Sequence, residues 1–124
     1  NDTTTGWYRE LEKLANGGDA TARKTLEHLW RYLGNRPDQV HWAMIHMLMA
    51  SPSNLAMVPV QDLLGLGSEA RMNVPGIAGG NWSWRMMPGA LDAEVARILF
   101  EHTTVFGRAG ISRGSMPTEA PDPE

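Results

Sequence analysis

Apolar positions recur at helical spacing over the first fifty residues, and then the pattern changes. Trp7, Leu11 and Leu14 stand at i, i+4 and i+7, which predicts a short helix over residues 6–16 with those side chains inward. Gly17-Gly18 stops it, and Asp19 is placed to cap a second helix. That helix runs through Ala22, Leu26, Leu29, Trp30 and Leu33 and ends at Gly34-Asn35. Pro37 suits the first turn of a third helix, where a missing N–H leaves no bond unmade. Its expected buried stripe is Val40, Ala43, Met44, Met47 and Leu48, closed by Ser51-Pro52-Ser53-Asn54.

The run Leu55 to Val60 differs in kind. It is short, almost continuously apolar and bounded by turn residues, the pattern of a strand buried on both faces, with Pro59 at its C-terminal end. From Gln61 to Pro88 the chain is rich in Gly, Pro, Asn and Trp, with at most a helical turn at Asp62 to Leu66. Leu91 to Phe106 reads as a last amphipathic helix, with Val95, Ile98 and Leu99 inward and Gly107 as its stop. Residues 114–124 hold three prolines and three acids, which predicts a disordered tail after a folded unit of residues 1–113. A single strand leaves its own backbone groups unpaired, so the strand reading requires partner strands outside these residues.

Composition narrows the function classes. Hydrophobic residues make up 42% and charged residues 20%, the balance of one soluble globular domain. The net charge is −3 and the eleven Lys and Arg are scattered, so neither nucleic acid nor an anionic membrane is an expected partner. The longest apolar run, Trp42 to Ala50, is interrupted by His46 and too short to span a bilayer. There are no cysteines, which removes disulfides, thiolate nucleophiles and Cys-ligated zinc and fits a reducing cytoplasm. The polar start resembles no signal peptide, and without an initiator Met the chain is expected to be processed or drawn from something longer.

Candidate chemistry concentrates in residues 59–84, PVQDLLGLGSEARMNVPGIAGGNWSW. Long loops of this kind tend to be functional. Amides, carboxylates, an Arg and two Trp are the inventory of a sugar-binding site, where polar groups bond hydroxyls and indole faces stack on pyranose rings. The plainer reading of the same residues is a packed loop, with Trp82 and Trp84 filling core and Asn73 capping a turn. Gly65-Leu66-Gly67-Ser68-Glu69-Ala70 matches a dinucleotide fingerprint in letters alone. Gln61 to Leu64 separate it from the expected strand, and Pro75-Gly76 would end the following helix, so a nucleotide site is not expected. His28, His41, His46 and His102 show no metal spacing, His41 and His46 being five apart on different helix faces. Met44, Met47 and Met49 read as core packing. No metal or organic cofactor is expected.

The string Val58-Pro59-Val60-Gln61-Asp62-Leu63-Leu64-Gly65-Leu66-Gly67-Ser68-Glu69-Ala70-Arg71-Met72-Asn73-Val74-Pro75-Gly76, with Gly80-Asn81-Trp82-Ser83-Trp84-Arg85 after it, resembles the C-terminal signature of the amylomaltase and disproportionating-enzyme family. Asn1-Asp2-Thr3-Thr4 with Gly6-Trp7, Val40-His41-Trp42-Ala43 and Phe106-Gly107-Arg108 agree with it in order and spacing. The resemblance covers residues 1–108. It implies a glycoside hydrolase of family 77, an α/β fold built on a (β/α)8 TIM barrel, of which this chain would be the C-terminal end. Residues 1–5 would follow the seventh strand, Leu55 to Val60 would be the eighth, and as an isolated piece the chain would be mostly helical. The implied activity is that of a 4-alpha-glucanotransferase, moving 1,4-alpha-glucan segments to the 4-hydroxyl of glucose or another glucan, with maltooligosaccharides and the rest of the barrel as partners, in maltose or glycogen metabolism.

By motif match, Asn73 would hydrogen-bond sugar hydroxyls, Gln61 and Asp62 would line or brace the cleft, and Asn81 with Trp82 or Trp84 would shape its rim. The family places a Thr-His-Asp tripeptide directly before Asn-Asp-Thr-Thr, and its nucleophilic Asp and acid/base Glu further upstream. Since retaining transfer needs two carboxyl groups, these 124 residues alone are expected to carry no catalytic residue and to be inactive. The competing reading is a free-standing, non-enzymatic glucan-binding or structural helical domain that uses the same loop.

Overall fold

A computed structural model describes residues 2–110 of the chain. Five α-helices and one 3-10 turn make up the regular structure among them: α1 (Thr4–Asn16), α2 (Ala20–Leu33), α3 (Val40–Ala50), α4 (Val60–Leu63), the 3-10 turn (Ser68–Ala70) and α5 (Ala93–Val105). The tail expected over residues 114–124, and the end of the folded unit at 113, lie outside the described residues. No helix among those described is long and apolar enough to cross a membrane.

The α1–α2 hairpin holds the core. Asp19 caps α2 as its sequence position predicts, its carboxylate accepting from the N–H groups of Thr21 at 2.8 Å and Ala22 at 2.9 Å. Tyr8 and Ala15 of α1 pack on Ala22, Leu26 and Leu29 of α2, with Val40 of α3 closing the cluster. The expected face of α1 is therefore off by one position at both ends: Tyr8, Leu11 and Ala15 turn inward, while Trp7 and Leu14 stay exposed. The phenol explains part of this. Its oxygen accepts from Trp30 Nε1 at 3.0 Å, so the polar tip is satisfied at the interface while the ring packs.

The third helix begins at Val40, three residues beyond Pro37, with Gln39 ahead of it and no side-chain cap. Val40, Ile45 and Met49 are its buried residues; Ala43, Met44, Met47 and Leu48 of the expected stripe are only half-buried. An apolar side chain stands at nearly every position from Val40 to Ala50, so periodicity has little polar contrast from which to pick a face.

The strand expected over Leu55 to Val60 does not form. Residues 55–59 are irregular, Val60 already starts α4, and Leu55 and Met57 are 73% and 78% exposed. The reason is geometric: a strand exists through hydrogen bonds to a neighbour, and no other strand occurs among the described residues. The last helix matches its expected inner face, with Val95, Ile98 and Leu99 half-buried. It docks on α3 through rings, His102 stacking on Trp42 at 5.4 Å between centroids and Phe106 meeting His46 edge-on at 4.8 Å. Just beyond it, Arg108 donates to the carbonyls of Met49 at 2.7 Å and Ser51 at 2.8 Å, satisfying groups at the end of α3.

The N-terminus of α1 lies against the segment from α4 to the 3-10 turn. Asp62 accepts from Thr4 N–H at 2.8 Å across 58 residues, pairing an amide that the helix itself leaves free. Gly6 makes the approach possible: a Cβ there would stand 2.6 Å from Asp2 Oδ1 and 2.7 Å from the Ser68 nitrogen. Two substitutions test this packing by denaturant unfolding. Leu26→Ala, at a side chain 3% exposed, should cost about 2–5 kcal/mol. Gly6→Ala should cost about 1–3 kcal/mol by forcing the seam open.

Candidate functional site

Three stretches far apart in sequence meet beside that seam and enclose a cleft of about 410 Å³. Asp2 and Thr3 come from the entry to α1, Pro59, Gln61 and Asp62 from the start of α4, and residues 70–73 and Pro75 from the end of the 3-10 turn and the chain after it. Trp82 reaches the same cleft from the returning limb of the loop. Four of the five sequence-predicted site residues, Gln61, Asp62, Asn73 and Trp82, thus border one space, and Asn81 does not.

Their surroundings give them different work. Gln61 is buried, its Nε2 3.4 Å from the carbonyl of Ala70, a long contact that ties α4 to the 3-10 turn. Asp62 is held by Thr4 N–H, so it both borders the cleft and anchors α1. Asn73 is half-buried and makes no side-chain hydrogen bond among the described residues, which leaves its carboxamide available to a ligand. Asn81 is engaged within the loop at both ends of its carboxamide: Oδ1 accepts from Val74 N–H and Nδ2 donates to the Ile77 carbonyl, each at 2.8 Å. Trp82 is exposed and sits at φ 62, a left-handed conformation that non-glycine residues adopt at a cost. Its N–H bonds the Met72 carbonyl at 2.5 Å, so residues 72–82 close on themselves like an Ω-loop. Trp84 is half-buried and away from the cleft.

Sequence reading passed over Asp2 and Arg71 as cleft residues. Asp2 Oδ2 accepts from Ser68 Oγ at 2.7 Å and lies 3.6 Å from Arg71 Nη1. Arg71 carried a local signal, since it stands two residues from Asn73 in the loop already singled out. Asp2 stood in the Asn1-Asp2-Thr3-Thr4 match, but nothing in it pointed to the cleft, because Ser68 and Arg71 are more than sixty residues away.

Beneath α4, Gly65 takes φ 62 and lies so near the His41 ring that a Cβ would come within 2.7 Å of Cε1. The glycines at 65 and 67 therefore serve close packing, and they lead into a three-residue 3-10 turn rather than a phosphate-binding helix. Burial lowers the His41 pKa, opposed in part by the Asp62 charge. No cluster of three or more His, Asp or Glu able to hold a metal occurs among the described residues.

Chemically the cleft offers two carboxamides, two carboxylates, a guanidinium and an indole on one wall system. That set can donate to and accept from vicinal hydroxyls while giving a flat apolar surface to a ring. The two carboxylates are already engaged by Thr3, Thr4, Ser68 and Arg71, which suits bracing better than proton transfer.

Comparison with known proteins points the same way. A family model described as 4-alpha-glucanotransferase matches residues 1–91. The 4-alpha-glucanotransferase of Thermus thermophilus is 46% identical over 94 residues, which cover 76% of this chain and 18% of that protein. The Synechocystis 4-alpha-glucanotransferase is 38% identical over 109 residues, 87% of this chain and 20% of that protein. Among solved structures, an amylomaltase from Streptococcus agalactiae in complex with acarbose matches with TM-score 0.70 and 28% identity, over 87% of this chain and 20% of that one. The chain spans about a fifth of the length of these relatives.

The half-buried His41 yields a pH prediction. Its pKa is lowered from 6.5 on folding, so the stability gained by burying a neutral ring is complete above 6.5. It is lost as the pH falls from there through the lowered value, because the unfolded chain then binds the proton more readily. The melting temperature should drop over that range, and His41→Gln should reduce the drop when the two pH profiles are compared.

Proposed function

Because the chain belongs to the 4-alpha-glucanotransferase family of glycoside hydrolases, we propose that it forms the C-terminal end of a (β/α)8 barrel enzyme that transfers 1,4-alpha-glucan segments to the 4-hydroxyl of glucose or another glucan. The observation that carries the reading is the meeting of Gln61, Asp62, Asn73 and Trp82 at one cleft inside the family-matched region. In this reading Asn73 donates to sugar hydroxyls and Trp82 offers its indole to a pyranose ring. Gln61 and Asp62 shape and hold the wall, and Asn81 keeps the loop closed around them. In a retaining mechanism, one carboxylate takes the glycosyl group and a second shuttles the proton; in the whole protein we assign both to residues other than these.

The barrel placement has its own support. Leu55 and Met57 are highly exposed, and Trp7 and Leu14 add apolar surface on α1. Such side chains gain by being covered. Residues 55–60 become the eighth barrel strand once parallel neighbours lie on both sides, and the loop after it then occupies the C-terminal face, where barrel sites gather. The scheme calls for no metal or organic cofactor. We place the enzyme in the cytoplasm, in maltose or glycogen metabolism; a cysteine-free chain accords with a reducing compartment.

Glucose release from maltotriose by the whole protein tests the assignment. Asn73→Ala should lower kcat/KM about tenfold or more, the worth of a hydrogen bond to a substrate hydroxyl. Turnover equal to wild type would remove Asn73 from the site. A cooperative thermal melt of these 124 residues alone, raised by maltoheptaose, would favour a self-contained binding module over a barrel segment.

A further inference from the structure

Among the described residues lining the cleft, Arg71 is the one cation, and its guanidinium is turned toward a brace rather than left to solvent. Nε donates to the Ser68 carbonyl at 3.1 Å, and Nη1 faces Asp2 Oδ2 at 3.6 Å. The same Asp2 oxygen accepts from Ser68 Oγ at 2.7 Å, and its other oxygen accepts from Thr3 N–H at 2.8 Å. Asp2, Ser68 and Arg71 therefore form a clasp between the segment entering α1 and the chain leaving the 3-10 turn.

Two features separate this clasp from the contacts that hold the seam together. First, the Arg71 and Asp2 side chains keep 31% and 23% of their exposure and stand 3.6 Å apart, a loose and partly screened pair that adds modestly to stability. The Asp62 bond to Thr4 does not involve Arg71, and the close packing at Gly6 is made by Asp2 and Ser68 without the Arg71 side chain. Second, Arg71 has extended backbone angles, φ −60 and ψ 139, and starts the stretch that carries Asn73. A change in where Arg71 is pinned passes directly to Asn73, whose own side chain has no partner among the described residues to resist it.

We propose that Arg71 is a positioning residue of the cleft: held by Asp2 and Ser68, it sets where the Asn73 carboxamide meets a bound glucan. The inference rests on the glucanotransferase reading above and adds a residue to it. It acts through Asn73 and not by touching the sugar.

The test is a double-mutant comparison in the whole protein, with maltotriose disproportionation, maltoheptaose affinity and thermal melting as readouts. Arg71→Gln should lower kcat/KM about 10- to 100-fold, the effect of a small misplacement of a binding group, while the melting temperature stays at the wild-type value. Asp2→Asn should reproduce much of that loss. Arg71→Lys should keep part of the activity, since an ammonium can face Asp2 but cannot also bridge to the Ser68 carbonyl in the same geometry. In the Asn73→Ala background, Arg71→Gln should cause no further loss.

Independent, multiplicative losses in that background would overturn the inference, as would wild-type kinetics for Arg71→Gln. If Arg71→Gln does not fold, Asp2→Asn and Ser68→Ala carry the same comparison with Asn73, and wild-type kinetics in both would overturn it. A wild-type protein that neither transfers nor binds glucan would overturn the functional reading and this inference with it. An active wild type indifferent to Arg71 overturns this inference alone.

Discussion

The described structure depends on how closely the N-terminus of α1 can approach the chain between α4 and the 3-10 turn. A helix N-terminus presents amides without partners, and here Asp62 supplies one from 58 residues away. That bond forms because Gly6 has no side chain: the Ser68 backbone and the Asp2 carboxylate fill the space a methyl group would need. Asp2, Ser68 and Arg71 continue the seam toward the cleft. The cleft is thus the open side of a packed joint, and its wall residues are placed by contacts that span most of the sequence.

Away from the seam, the burial is uneven in a way that bears on the fold. Tyr8, Ala15, Ala22, Leu26 and Leu29 give the α1–α2 hairpin a real core, with Val40 joining it to α3. The other end is thinner. No residue of α5 is fully buried, and its contact with α3 runs through His46, His102, Trp42 and Phe106 and the two Arg108 hydrogen bonds. Large apolar side chains at 55, 57, 86 and 87 meet solvent. The chain spans about a fifth of the length of its relatives, and the exposed Leu55 and Met57 are among the side chains on which the proposed barrel placement rests.

The loop from 72 to 82 shows how an irregular segment can still place groups accurately. Asn81 bonds the backbone on both sides of the turn, Trp82 closes onto Met72, and Arg85 ties Nη1 to the carbonyls of Trp82 and Trp84. These are local bonds, so they fix the loop's shape without fixing its direction. Direction comes from the stretch before it, through Gln61 at Ala70 and the Arg71 clasp. Trp82 borders the cleft in a left-handed backbone conformation, which costs a non-glycine residue energy.

Much of this was legible in residue order alone, and the reasons differ from place to place. Caps, breaks and helix extents depend on local chemistry, so Asp19, Gly34 and the Leu91 to Gly107 pattern predicted α2 and α5 closely. The family signature in residues 58–85 also depends on order and spacing, and it singles out Gln61, Asp62, Asn73, Asn81 and Trp82, of which all but Asn81 border the cleft. What order could not decide is which of several equivalent faces meets a partner. The inner side of α1 shifted to Tyr8 because its hydroxyl found Trp30, and α3 had apolar residues on too many sides for periodicity to choose among them. Leu55 to Val60 reads as a strand, yet strand formation belongs to neighbouring chains and not to the segment itself. Nor could order foresee that Asn81 would turn inward to the loop or that Asp2 would reach Ser68 and Arg71, since those are long-range or backbone-directed hydrogen bonds. Local propensities and motifs determined the helices and the family; the tertiary structure decided which of the marked side chains line the cleft and which hold it in place.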